Sequence, residues 1–244
     1  MFIFATKPES LWGQIQWIFE DNWPLFWYGI KVTVLLAIVG TLVGLIIGLF
    51  LGTLRTIEIH ENDAVIMKIT KRILHGFVNF YVWFFRGTPM MIQALLFYNL
   101  FRPILHWDAM MAGYVIISIN TGAYMAEIVR SGIQSVDHGQ KEGARSIGMS
   151  NTQTMTSIIL PQAIKNSFPS IGNQFVVNIK DSSMLNVIGV IDLFFQTSSV
   201  AGSSMLYIPT FVITTMIYLV LTTIATFILN LIENRLDTAQ KGNV

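Results

Sequence analysis

From residue 193 to residue 232 the chain contains no Asp, Glu, Lys, Arg or His, and from Val32 to Leu54 a further 23 residues carry no charge. A helix crossing a bilayer needs about 20 consecutive, largely apolar residues, whereas an element that must also face water cannot run so far without a charge. These runs make the bilayer the solvent and point to an all-α integral membrane fold. Composition agrees: 53% of the residues are hydrophobic and only 12% charged, against about 25% charged in a globular norm. A net charge of +1, with no basic stretch interleaved with aromatics, excludes nucleic acid as a partner. The absence of cysteine excludes disulfide scaffolds, cysteine zinc sites and thiol nucleophiles.

Five spans are expected. The first is Val32–Leu54. The second is a single tilted or broken helix within Ile73–Phe101, interrupted by Arg86-Gly87-Thr88-Pro89. The third is Ala109–Ala126. The fourth, Phe168–Ile191, carries Lys180 and Asp181, and the last, Leu206–Ile232, follows a Ser- and Gly-rich loop over Gln196–Ser204. Lys and Arg in the connections are split ten to two in favour of the segments after spans one and three and the C-terminal tail. The cytoplasmic preference of these cations places the N-terminus outside and the C-terminus in the cytoplasm.

Residues 1–24 lack the order of a cleavable signal and read as a retained interfacial segment, in which Ser10 caps a short helix with Leu11, Ile15, Ile18 and Phe19 on one face. Residues 25–235 form the transmembrane domain, and 236–244 a cytoplasmic tail. Gly40, Gly44, Gly48 and Gly52 recur every four residues on span one, a ridge for close helix approach within the chain or between subunits.

No constellation for covalent chemistry is present. His60, His75, His106 and His138 have no metal-ligand spacing, HExxH is missing, and no lysine follows a glycine as a phosphate-cradling GxxxxGK[ST] loop requires. The chain is therefore expected to be no enzyme and to bind no cofactor. If ATP drives it, another chain hydrolyses the ATP.

The connection from about 131 to 165 is the most informative. Glu142-Gly143-Ala144-Arg145-Ser146-Ile147-Gly148 is followed, after nine residues, by Ile158-Ile159-Leu160-Pro161. Gly148 can take the left-handed conformation that ends a helix, and Ser150 with Gln153 has the capping-box spacing that starts another. A helix, a sharp turn and a helix follow, with Ile147 and Met149 at the turn, where a free hairpin would leave them wet. The competing reading is a plain structural hairpin.

This pattern resembles the EAA loop of ABC importer membrane subunits, with Gly143 in place of the middle alanine. Further stretches resemble the polar amino-acid permease branch of that family: Phe85-Arg86-Gly87-Thr88-Pro89, Ala123-Tyr124-Met125-Ala126-Glu127-Ile128-Val129-Arg130-Ser131-Gly132-Ile133, Gly139-Gln140, and Lys180-Asp181-Ser182-Ser183 followed by Val187-Ile188-Gly189-Val190. The resemblance covers roughly residues 25 to 235. It implies a type I ABC importer permease in a prokaryotic inner or plasma membrane, surrounded by membrane lipid. Its implied partners are a second permease subunit, identical or homologous, two ATPase subunits that use ATP and Mg, and an external solute-binding protein that delivers an amino acid. It also implies that Glu142, Gly143, Ala144, Ile147, Gly148 and Met149 couple to the ATPase.

Within the spans, polar residues default to function or to pairing. Asn79, Arg86 and Gln93 share one face of span two, Asn120, Tyr124 and Glu127 one face of span three, and Gln174, Asn178 and Asp181 a stripe on span four beside Asn173 and Lys180. Arg86, Gln93, Asn120, Tyr124, Glu127, Lys180 and Asp181 are the candidate substrate pathway. In it Glu127 faces the ammonium of an amino acid and Lys180 its carboxylate, because losing water around both charges requires charged replacements. The alternative is that Arg86, Glu127, Arg130, Lys180 and Asp181 pair among themselves, Arg130 and Asp181 above all. Competing readings of the whole chain are a permease for another small polar solute, a stand-alone channel and a membrane-embedded enzyme.

Overall fold

The computed structural model describes residues 8–57, 59, 61 and 63–241, with side chains to residue 235. The first residues of the expected interfacial segment, with Lys7, and also His60 and the end of the tail lie outside the described residues. Ser10 does cap a helix, its hydroxyl accepting from Gly13 N at 3.2 Å. That helix, α1 (Leu11–Leu54), continues for 44 residues through Pro24, so that the expected short interfacial helix and the first span are one element, roughly 66 Å long at 1.5 Å per residue.

The second expected span is broken at Thr88-Pro89 into α2 (Val65–Gly87) and α3 (Met90–Leu105). Proline at 89 forces Thr88 into an extended conformation, φ −126° and ψ 148°, which no helix can pass through. α4 (Ala109–Gln134) follows, capped by Asp108. Next come α5 (His138–Ser146), α6 (Asn151–Thr154), a π-helical turn (Met155–Ile159), α7 (Leu160–Asp181) and a 3₁₀ turn (Ser182–Ile188).

The expected loop at 196–204 is instead a helix, α8 (Leu193–Ser204). Asp192 Oδ1 caps it through Phe195 N at 2.9 Å, and hydroxyls of the helix bond back to its preceding turn, Thr197 to Leu193 O at 2.7 Å and Ser198 to Phe194 O at 2.9 Å. Hydroxyls bonded back to the preceding turn leave the helix's own backbone bonds in place. α9 (Tyr207–Lys241) completes the chain.

α1, α4 and α9 are long and apolar enough to cross a membrane, and the bent α6–α7 and α8 pair, angled by 57°, makes a fourth crossing if it is one broken span. α2 has the length, but Lys68, Lys71, Arg72 and Arg86 lie within it.

α4 sits at the centre. The glycine ridge of α1 lies against it in constant step: Gly40 meets Ile117, Gly44 Thr121, Gly48 Met125 and Gly52 Val129, so the two helices run parallel. A Cβ on Gly44 would fall 2.7 Å from Thr121 Cγ2, closer than side chains approach. The ridge is therefore an intramolecular seam.

α7 lies antiparallel to α4, with Ser167 Oγ donating to Ile128 O at 3.3 Å at one end and Thr121 Oγ1 to Asn178 Oδ1 at 3.0 Å nearer the other. Asn178 Nδ2 also donates to Thr41 Oγ1 at 2.9 Å, and Gln174 Nε2 to Asn178 Oδ1 at 3.2 Å, tying α1, α4 and α7 into one buried knot. α2 is antiparallel to α4 as well, through Val78 and Val82 against Leu51 and Ala126 and through Tyr81 Oη donating to Ile119 O at 2.5 Å. α9 closes the bundle where Ala37, Ile179 and Ala225 meet.

Candidate functional site

Two regions hold the candidate residues. The first is the α5–α6 hairpin. Asp137 starts α5 by accepting from Gly139 N at 2.7 Å. The helix ends where Gly148 takes φ +85°, a left-handed value that a β-branched side chain resists. Gly148 N reaches Arg145 O at 3.0 Å and Met149 N reaches Ala144 O at 3.1 Å, which satisfies the last carbonyls. The capping box is complete in both directions: Gln153 N to Ser150 Oγ at 3.3 Å and Ser150 N to Gln153 Oε1 at 2.8 Å.

Of the six coupling candidates, Ala144 is buried under the hairpin and Met149 half-buried, while Glu142, Gly143, Ile147 and Gly148 are exposed, Ile147 to 80%. A Cβ on Gly143 would meet nothing within 4 Å, so an alanine fits there as well as glycine does. Beyond the hairpin, the π turn carries the Leu160 N–H back to Met155 O, five residues rather than four. Pro161 has no N–H to continue the regular ladder, and Gln162 Nε2 takes up Ile158 O at 2.8 Å.

The second region is the polar interior, where the candidates separate into three groups. Gln93 and Asn120 serve the break between α2 and α3: Gln93 Nε2 donates to Phe85 O at 3.0 Å and Thr88 O at 2.9 Å, while Asn120 Nδ2 donates to Gln93 Oε1 at 2.9 Å. Carbonyls freed by the break are thus satisfied internally, as lipid demands.

Glu127 is the focus of the next group. Its Oε2 accepts from Arg55 Nη1 at 2.5 Å, and its Oε1 accepts from Arg130 Nε at 3.1 Å and also from Arg130 Nη2. Arg86 Nη1 stands 3.7 Å from Oε2, with the guanidinium 5.5 Å from the centre of the Tyr124 ring. Beside it a cleft of about 250 Å³ opens between α4 and α7, lined by Glu127, Ser131, Ser135, Asn166, Ser167 and Ser170.

Lys180 and half-buried Asp181 form the last group, at the far end of α7. Asn166, Ser170, Asn173 and Lys180 are exposed along one face of α7, leading from the cleft to Lys180. Because Asn178 is level with Thr121, Lys180 and Glu127 are separated by roughly 12 Å along the helix axes. Arg86, Tyr124 and Glu127 are therefore brought together, and Lys180 lies apart from them.

Arg55, Thr41, Thr121, Ser131, Asn166 and Ser170 were not among the candidates. The spacing of Asn166, Ser170, Asn173 and Lys180 was a signal within the sequence, whereas Arg55 meets Glu127 across 72 positions with nothing local to announce it.

Residues 64–238 match the family of binding-protein-dependent transport system inner membrane components. The chain is 39% identical over 176 residues to the probable glutamine ABC transporter permease protein GlnM of Bacillus subtilis (strain 168), covering 71% of this chain and 82% of that one. It is 35% identical over 162 residues to the arginine transport system permease protein ArtQ of the same organism, covering 66% and 74%. A crystal structure of an amino acid ABC transporter with histidines superposes with a TM-score of 0.78 at 33% identity, over 93% of this chain and 99% of that chain. This bundle, with its bare hairpin, belongs to the family of binding-protein-dependent transport system inner membrane components, as the non-catalytic membrane permease.

Proposed function

We propose that the chain forms the translocation path of an ATP-driven importer that takes a polar amino acid from an external binding protein, with the α5–α6 hairpin seated in an ATPase subunit. The observation that carries this reading is Ile147, 80% exposed at the tip of a hairpin whose turn and both caps are fully formed. An apolar side chain held so rigidly away from its own bundle suits a partner's groove. Amino acids are the substrate class because the relatives named above are described as glutamine and arginine permeases. The proposed assembly is two permeases, identical or homologous, with two ATPase subunits.

In this reading the chain crosses five times, by α1, α2 with α3, α4, α7 and α9, with the N-terminus outside and the hairpin in the cytoplasm. The alternating directions of α1, α2, α4 and α7 support that order. The exposed face of α7 lines the path, with Lys180 taking the substrate carboxylate near mid-depth and Asp181 beside it. Glu127 meets the ammonium only in competition with the arginines, which already engage both of its oxygens.

Co-expression with the cognate ATPase and binding protein, followed by uptake of each of the twenty L-amino acids into proteoliposomes, tests the function. Uptake of one or a few is the expected result. Stimulation by sugar- or metal-loaded binding proteins instead would assign another polar solute. Topology is tested in the natural cysteine-free chain: Ser203→Cys should react with an impermeant thiol reagent in intact cells. Gln140→Cys should react only once the membranes are opened and the ATPase is stripped away.

A further inference from the structure

The arginine cluster around Glu127 contains three cations and one carboxylate. Arg55 and Arg130 hold the carboxylate at hydrogen-bonding distance, one on each oxygen. Arg86 is different. At 3.7 Å it is beyond a hydrogen bond, its side chain is 41% exposed, and its contact with Tyr124 is through the ring face. Nor does Arg86 complete the end of α2. Phe84 O is taken by Thr88 Oγ1 at 2.8 Å, and Phe85 O by Gln93 Nε2.

Among the described residues, none accepts a hydrogen bond from the Arg86 guanidinium. A guanidinium presents five donors in a planar fork matched to a carboxylate, and a cation–ring contact with an aromatic side chain uses none of them. A charged fork held over the Tyr124 ring with its donors open is a receptor for a carboxylate.

We propose that the Arg86 guanidinium, beside Glu127, forms a second carboxylate site of the translocation path, on the hairpin side of Lys180, which the amino acid occupies on its way to the cytoplasm. This rests on the amino-acid importer reading above. Glu127 competes with the arriving carboxylate for the same guanidinium, so the site holds its ligand weakly. A step from which substrate must depart requires that weakness. Arg55 and Arg130 keep Glu127 in place when Arg86 turns from it to the substrate, and the Tyr124 ring guides that turn.

The test uses the complete importer in proteoliposomes with the transported amino acid identified in the uptake screen. Phenylglyoxal modifies accessible arginines, and the peptide containing Arg86 reports its modification by mass spectrometry. Saturating amino acid is expected to lower labelling of Arg86 at least fivefold, its carboxamide derivative to leave labelling unchanged, and Arg55 and Arg130 to stay unmodified throughout. Arg86→Gln should cut uptake at least tenfold, and Arg86→Lys, which keeps the charge and loses the fork, should fall between it and the natural chain.

Equal labelling with and without the amino acid overturns the proposal, as does equal protection by the carboxamide. Protection of Arg86 in the substrate-free complex overturns it too, because a partner's carboxylate would then occupy the fork. Full uptake by Arg86→Lys would show that the fork is not used. If the natural complex carries none of the twenty amino acids, the importer reading itself fails at the screen, before any labelling, and the carboxylate site falls with it.

Discussion

Glycine shapes both the α1–α4 seam and the α5–α6 hairpin, and it does so for opposite reasons. In the seam, Gly40, Gly44, Gly48 and Gly52 are small because Ile117, Thr121, Met125 and Val129 stand where a side chain would go. Around the hairpin, Gly143 and Gly148 have nothing within 4 Å of an added Cβ, and Gly148 is required only by its φ of +85°. One region is determined by its neighbours, the other by its own backbone. Lipid offers apolar helices no hydrophobic reason to associate, so close packing and buried hydrogen bonds must hold the bundle. The hairpin holds its shape by its own caps and turn, and in the proposed assembly its exposed apolar tip meets the ATPase.

Substitutions on the two sides separate these causes. The largest effect is expected from Gly44→Leu, which overpacks a site backed by Thr121 and the Gly122 main chain. A cost of about 3 kcal/mol, the upper end for overpacking, should appear as loss of monodisperse protein in detergent. Wild-type yield would break the seam side of the comparison. Asn178→Leu removes two hydrogen bonds that tie α7 to α4 and α1, and a third within α7. At about 0.6 to 1.7 kcal/mol for each bond in a membrane, it should lower the melting temperature with the ATPase still able to bind.

Gly148→Val should leave the bundle's melting temperature in place and weaken ATPase association about tenfold, since a left-handed L-residue costs roughly 1 to 2 kcal/mol. Unchanged pull-down and transport would remove the hairpin from coupling. Ser150→Ala deletes one half of the capping box, a loss of about 1 kcal/mol, and should weaken ATPase association less than Gly148→Val. Gly143→Ala is the smallest change. With open space around it, the alanine should add a few tenths to about 1 kcal/mol of helix stability and leave pull-down unchanged.

Local features were legible in the sequence because their causes lie within a few residues. Gly148, Ser150 and Gln153 specify a turn and a cap by their own chemistry, and Pro89 specifies a break. The glycine ridge announced a close approach without naming its partner, since a stripe of small residues records only that something is near. The Glu127 cluster was half legible: the i, i+3 spacing to Arg130 could be read on the helix, and Arg55 could not, because only the folded bundle brings α1's end to α4. α8 was misread for a physical reason. Ser, Thr and Gly signal loops because their hydroxyls can draw backbone bonds away from a helix, but here the same hydroxyls bond back within their own helix at Leu193 O and Phe194 O.

The π turn at Met155–Ile159 sets a phase. One extra residue in a turn rotates everything beyond it by about 100° relative to an uninterrupted α-helix. The azimuth of the hairpin about the α7 axis, and with it the direction in which Ile147 points relative to the Asn173–Lys180 face, is thereby fixed by five residues and the proline that follows them. Deleting one residue there would leave both ends chemically intact and aim them at different partners, as a key cut correctly but twisted in its shank no longer meets the lock.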